Sequence, residues 1–422
     1  MQQYYFDDQG RFVIENFAQA RPFSSFLPGI ASVQGIPLWA YYVNRGQGIA
    51  SFGVEDKNGA IMEFFPANRS YSLVPIHGFR TFLKVKMQDE WSYVEPFSAV
   101  HPVEREQQKM LISRHMLEIH STNPDTGLEV RVQYFTLPHE SYAALVRKVE
   151  IVNHSAQELE LEVLDGMPAV LPFGIDNAAY KELGHTLKSW MDVYNLNNSI
   201  PYYKVRGSTA DTSEIHQIEA GHFMYSFVEE EGKARLLSPI VDPSVIFGEN
   251  TALTFPDRFI HTHVEDLVSQ QPVTTNKVPC GLSGYTARLA VGTAVNHCTI
   301  IGHVNDIHSI NERITEIATI PYIERKAEEA KALIEGLTDE MATRTSIPLF
   351  DEYCRQNHLD NLLRGGYPLL LDNGTEQPFV YHVFSRKHGD LERDYNFFKL
   401  QAGYYSQGNG NFRDANQNRR DL

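Results

Sequence analysis

From the amino terminus to about residue 300, apolar side chains recur at every second position in short runs broken by Pro, Gly and Asn. A period of two is that of a strand with one face in a core. Glu158-Leu-Glu-Leu-Glu-Val163 alternates strictly, which assigns Leu159, Leu161 and Val163 to the buried face and the three glutamates to water. Glu129-Val-Arg-Val-Gln-Tyr-Phe135 repeats the scheme with Val130, Val132 and Tyr134 on one face. Leu145-Val-Arg-Lys-Val-Glu-Ile-Val152 is a third such run. The turn-forming residues Asn153-His-Ser155 then predict a hairpin from Leu145–Val152 into the Glu158 strand. Many antiparallel strands of this kind predict a large β-sandwich. One helix interrupts them, because Tyr180, Leu183, Leu187, Trp190, Met191 and Tyr194 recur at spacings of three and four.

Past residue 300 the period lengthens to 3.6. Ile307, Ile310, Ile314 and Ile317 form one stripe that Pro321 should stop. Glu324 to Glu335 is rich in helix formers and should end at Gly336. A further helix should open at Pro348, capped by Thr345 or Ser346, carry Leu349, Phe350, Tyr353, Leu362 and Leu363, and stop at Gly365-Gly366. The fold class is therefore mainly β with α. Residues 1–302 are expected to form an amino-terminal antiparallel β-sandwich and 303–346 a helical linker. Residues 347–422 should begin an α-helical domain that these residues leave incomplete.

A chain of 422 residues with 42% apolar side chains has material for two or three domains. Its net charge of -16 argues against a nucleic-acid or anionic-membrane partner, either of which needs clustered Lys and Arg to replace counterions. A neutral ligand fits better, and 21 Tyr, 24 Phe and three Trp make stacking on sugar rings available. Three dispersed cysteines, Cys280, Cys298 and Cys354, indicate neither a disulfide framework nor a CxxC metal site. With no basic and apolar leader and no window near the ~20 apolar residues of a membrane span, the expected location is the cytoplasm.

The chemistry-bearing residues are polar. In the segment Tyr404 to Leu422, Asp414 can accept two hydroxyls bidentately, Arg413 can orient it or meet phosphate, and Gln417 can reach a third hydroxyl. A polar surface loop is the alternative. Between Phe379 and Asp394, His382, Arg386, His388, Asp390, Glu392, Arg393 and Asp394 supply the donors and carboxylates of a sugar or phosphate site, or else pair locally as a neutralised charge network. His261-Thr-His263 places two imidazoles on one face of a strand, but no third ligand is evident and the pair reads as structural. Asn44 to Gly48 reads as a hairpin connection. No metal or cofactor motif, GxSxG, HExxH or P-loop pattern occurs.

Gly35-Ile-Pro-Leu-Trp-Ala-Tyr-Tyr-Val-Asn-Arg-Gly-Gln-Gly-Ile-Ala-Ser-Phe-Gly53, Glu63-Phe-Phe-Pro-Ala-Asn-Arg69 and Gly78-Phe-Arg-Thr-Phe82 resemble the amino-terminal region of 1,2-β-oligoglucan phosphorylases of glycoside hydrolase family 94. Ser385 to Asn396 and Asn409 to Gln417 resemble further segments of that family, which includes cellobiose phosphorylase. The resemblance implies an amino-terminal β-sandwich, a helical linker and an (α/α)6 barrel of which residues 347–422 are the beginning. It implies inverting phosphorolysis of a β-1,2-glucan to α-glucose 1-phosphate, with β-glucan oligosaccharide and inorganic phosphate as substrates and no cofactor. It also implies homodimers whose sandwich domains reach the rim of the partner's active site. Phe412-Arg413-Asp414 matches the segment whose Asp holds the sugar in the -1 subsite. The general acid of the family is an Asp from later in the barrel, with no match before Leu422. The expectation is the front part of a larger enzyme, inactive by itself. A non-catalytic glucan-binding or dimerisation protein is the alternative.

Overall fold

The computed structural model describes residues 4–29, 38–65, 67–87, 90–99, 106–207, 217–230, 232–365, 367–377 and 379–383. Among these the chain forms an eleven-stranded sheet, a five-stranded sheet, a four-stranded sheet and a two-stranded ribbon, with every strand pairing antiparallel.

The middle of the large sheet runs Leu128–Thr136, Ala143–Asn153, Ala294–Val304, Gly221–Glu230 in that order. Its two faces are both covered, and the alternation along each strand shows by what. Val130, Val132, Tyr134, Leu145, Val149 and Ile151 share one buried cluster with Leu83, Val85, Leu161 and Val163 of the five-stranded sheet. The opposite face, through Val146, Phe223, Tyr225, Phe227, Cys298 and Ile300, packs under two helices, His308–Ile317 and Ile320–Asp339, that contribute Ile310, Ile317, Tyr322 and Ile323. Strands buried on both faces lose the simple apolar-polar alternation, which is why Leu145-Val146 and Ile151-Val152 place adjacent apolar residues on opposite faces. Outer cover for the five-stranded sheet comes from three short helices, Ser244–Phe247, Asp257–His261 and Val264–Val268, which pack Val245, Phe247, Phe259, Val264 and Leu267 onto Phe82, Leu164 and Leu282.

The turn at Asn153 does not make a hairpin. Ala143–Asn153 belongs to the large sheet, whereas Leu159–Met167 pairs with Gly281–Leu289 and Arg80–Met87 in the five-stranded sheet. The chain crosses between layers here, and it crosses back beside this point between Gly281–Leu289 and Ala294–Val304. Asn153 ties the two crossings: its amide nitrogen donates to the carbonyls of Gln157, Leu289 and Ala290 at 2.8, 2.9 and 3.3 Å. Periodicity identifies a strand and a turn but carries no information about which sheet receives the strand.

Three other expectations are corrected. Leu159, Leu161 and Val163 are buried, but so is Glu162, which meets Lys84 at 2.6 Å instead of water. The helix expected through Tyr194 ends at Leu187. Met191–Tyr194 is a strand, and Leu183, Trp190 and Tyr194 are exposed. Pro321 lies in the first turn of Ile320–Asp339, where its missing N–H has no helical partner to lose, and that helix continues through Gly336. The helix Pro348–Gly365 forms where expected. Only its carboxyl half is buried, with Leu359 and Leu363 against Ile334 and Leu337, while Ile347 just before it and Leu349, Phe350 and Tyr353 within it are exposed.

Candidate functional site

Arg413, Asp414 and Gln417 lie outside the described residues, as do Arg386, His388, Asp390, Glu392, Arg393 and Asp394. His382 lies on the strand Phe379–Val383. His261 and His263 are not on a strand. His261 closes the helix Asp257–His261, and His263 immediately precedes Val264–Val268 with its Nδ1 2.5 Å from the Glu162 carboxylate, which itself accepts from the Val264 N–H at 2.9 Å. Among the described residues no group of three His, Cys, Asp or Glu side chains converges as a metal set.

The segments 35–53 and 63–69 and the strand that follows Gly78 are described in large part, and the fold brings them together. Leu38–Val43 and Ile49–Val54 pair across the Asn44–Gly48 connection, with Gly46 and Gly48 at φ +53 and +86 completing the turn. The connection is a hairpin and is anchored at two points. Asn44 is buried and donates to the carbonyls of Phe17 and Arg21 at 2.9 Å. Gln47 reaches inward to Thr81, donating to its hydroxyl at 3.2 Å, and accepts from Arg147 at 2.5 Å.

Arg147 is the centre of a fully buried polar network. Its guanidinium donates to both oxygens of Asp165 at 3.0 and 2.7 Å, to the Thr81 hydroxyl at 2.9 Å and to the Tyr134 hydroxyl, and it lies 5.0 Å from the Phe79 ring centroid. Burial pushes the Asp165 carboxyl up, but the adjacent guanidinium and its hydrogen bonds outweigh that and hold it below its ordinary value. This network links the large sheet, the five-stranded sheet and the hairpin. Enclosed on all sides, it fixes geometry and is not a place for a ligand.

The accessible chemistry lies at the far end of the four-stranded sheet, where Glu63, Phe64 and Phe65 follow Ala60–Met62. Trp39 packs edge-on against Phe64 with centroids 5.6 Å apart. Lys181, from the helix Asn177–Leu187, donates to the Phe64 carbonyl at 3.0 Å. Arg69 stands 4.9 Å and Lys181 5.9 Å from the Phe65 ring centroid, so one half-buried ring faces two cations. Burial raises the Glu63 carboxyl above its usual range against the pull of Lys181 and Arg69. It also lowers the Lys181 ammonium, and the Tyr180 phenol is pushed up to about 12. An aromatic face, a carboxyl biased toward its protonated form and two cations can stack a sugar and hydrogen-bond its hydroxyls or an attached phosphate. From sequence, Glu63 to Arg69 stood out only through the family resemblance. Lys181 carries no signal of its own in the sequence, since a single Lys on the polar side of an amphipathic helix reads as solvated surface.

No protein-family model matches the chain, and no curated protein matches it. Among solved structures it is similar to a polysaccharide lyase at 12% identity over 64% of this chain, with a TM-score of 0.36. A bacterial glucoamylase complexed with acarbose aligns at 7% identity over 87%, with a TM-score of 0.37. The family GH92 α-mannosidase from Bacteroides thetaiotaomicron aligns at 11% identity over 85%, with a TM-score of 0.38. The chain spans 33%, 47% and 43% of the lengths of these three proteins.

Proposed function

We propose that these residues are the amino-terminal portion of an inverting glycoside phosphorylase acting on β-1,2-glucooligosaccharides. The observation that supports the reading is the assembly of the resembling segments into one corner, held from inside by the Gln47–Arg147–Asp165–Thr81 network and presenting the Glu63–Phe65–Lys181 cluster outside. Residues 1–302 would be a sandwich domain, 303–346 a linker and 347–422 the opening of an (α/α)6 barrel. The contact of Tyr322 and Lys326 with Glu140 at 2.9 Å would fix the linker on the sheet.

In the reaction, phosphate oxygen attacks the anomeric carbon of the terminal glucose from the face opposite the scissile bond. The bond to the glycosidic oxygen breaks, a carboxylic acid protonates that oxygen, and the products are α-glucose 1-phosphate and a shortened glucan. Phosphate is already an anion, so no general base is required and one acid suffices. By the resemblance, that acid comes from residues beyond these, and Asp414, with Arg413 and Gln417 beside it in sequence, holds hydroxyls of the departing glucose. The Glu63–Phe65 corner would border the partner's site in a cytoplasmic homodimer.

The test is phosphate consumption with sophorose-type oligoglucans, and phosphate release with α-glucose 1-phosphate as donor. Residues 1–422 alone should be inactive and a carboxyl-terminally extended chain active, with Asp414→Asn in that chain strongly impaired. Turnover by residues 1–422 would place the acid among them, and an inactive extended chain would sink the assignment.

A further inference from the structure

The corner at Glu63–Phe65 gathers positive charge from three elements. Lys181 comes from the helix Asn177–Leu187, Arg69 from the first turn of the helix Ala67–His77, and Lys57 from the short turn Lys57–Gly59. Arg69 and Lys181 are exposed and border one ring, Phe65, at 4.9 and 5.9 Å from its centroid. Lys57 and Arg69 lie close enough to Lys181 to disfavour its charged form, and Glu63 acts in the opposite sense. The Asp56 carboxyl beside Lys57 is engaged locally, accepting from the Asn58 N–H at 2.7 Å. In a chain of net charge -16, cations here face one another with one carboxyl among them.

The elements that carry these groups are tied together. The Ser70 hydroxyl donates to the Phe65 carbonyl at 3.1 Å, which fixes the ring to the helix that bears Arg69. The Asn58 side-chain oxygen accepts from the Asn177 N–H at 2.9 Å, which joins the Lys57 turn to the start of the Lys181 helix. Lys181 spends one N–H on the Phe64 carbonyl at 3.0 Å and keeps two. Among the described residues neither Lys181 nor Arg69 forms an ion pair, and the half-buried Glu63 carboxyl accepts no hydrogen bond. The donors are therefore positioned and uncommitted.

We propose that this corner binds a phosphate group, with the Arg69 guanidinium and the Lys181 ammonium donating to its oxygens. A guanidinium matches two oxygens of a tetrahedral anion at once, and a dianion offsets the repulsion among the three cations, which a neutral glycan would leave in place. A nucleic-acid backbone is disfavoured by the net charge of -16. Glu63 sets the pH behaviour of the site. Lys181 and Arg69 hold its carboxyl toward the ionised form against burial, and a bound anion offsets that pull. Binding then takes up a proton and tightens as pH falls. Of the other titratable groups, the Tyr180 phenol, pushed up to about 12, stays neutral, and His185 lies one turn beyond Lys181 on the same helix. The site goes beyond the phosphorylase reading, which gives this corner only a place at the partner's rim.

The experiment is equilibrium dialysis of the 422-residue chain against radiolabelled sulfate, a tetrahedral dianion whose charge is constant from pH 6 to pH 8, at ionic strength fixed with chloride. Saturable binding is expected, displaced by inorganic phosphate and by glucose 1-phosphate. Displacement about tenfold better by glucose 1-phosphate assigns the site to a phosphate ester, and equal or weaker displacement to free phosphate. K181A and R69A should each weaken sulfate binding by about fivefold or more, with unchanged urea melts because both side chains are exposed. From pH 8 to pH 6 the affinity should rise in wild type and in H185Q. E63Q should bind more tightly at pH 8 and lose the pH dependence. Sulfate uptake that never saturates, or saturable uptake untouched by K181A and R69A, would overturn the site. An unchanged pH profile in E63Q would overturn the part given to Glu63. No glucan is present, so loss of sulfate binding and failure of phosphorolysis are separate results.

Discussion

Replacing Arg147 with methionine removes a guanidinium that is fully buried and makes bonds to five acceptor atoms, while keeping an unbranched side chain of similar reach. Asp165 would keep one donor, the Thr81 hydroxyl at 2.6 Å, for a carboxylate with no exposed surface. Removing one member of a buried ion pair costs about 3–5 kcal/mol, because the remaining charge has no compensation. That is a large part of the ~5–15 kcal/mol that holds a typical domain. The loss should depend on pH in a definite sense. In the native protein the Asp165 carboxyl is depressed, so its contribution is complete above the unfolded value and constant near neutrality. In R147M burial is opposed only by the Thr81 hydrogen bond and by His297, and the carboxyl should rise. Its contribution is then complete below the unfolded value and is lost as pH rises through the raised folded value. Urea unfolding followed by far-ultraviolet circular dichroism at pH 6 and pH 8 should therefore show R147M further below wild type at pH 8. Adding Asp165→Asn should restore most of the difference and abolish its pH dependence. A loss under about 1 kcal/mol at both pH values, or a double variant no better than R147M, would refute the view that this network holds the layers together.

Two further outcomes test other parts of the fold. His297 and His303 are buried and burial lowers both to about 4, so the unfolded chain takes up protons that the native protein does not; stability should be complete above pH 6.5 and fall toward pH 4, by about 1.4 kcal/mol per pH unit for each histidine. Urea melts at pH 5 and 6 should show a shallower dependence in His303→Gln, and an unchanged slope would count against a neutral His303. In the helix Pro348–Gly365, Leu359→Ala should cost about 2–4 kcal/mol and Leu349→Ala under 0.5 kcal/mol by the same melts, and equal losses would mean that the exposed half is covered.

Period-two alternation determined that the chain up to Val304 is strand-rich, and it assigned inward residues such as Val130, Val132, Tyr134, Leu159, Leu161 and Val163 correctly, because a strand with one face in a core must place apolar side chains at alternate positions. The change to a 3.6 period located the helices after residue 304 for the same local reason. The tertiary structure alone decided which sheet each strand joins, since pairing is a property of distant partners: Asn153 marks a layer crossing only because Leu289 and Ala290 lie beside it. It also decided the fate of polar residues. Glu162 falls at a position that reads as solvated, yet it is buried, as is Arg147, because Lys84 and Asp165 meet them from other strands. Trp190 and Tyr194 show the converse. Their spacing suggests a buried helix stripe, but the helix ends at Leu187, Trp190 closes a short 3-10 turn and Tyr194 ends the strand Met191–Tyr194, and both rings are exposed.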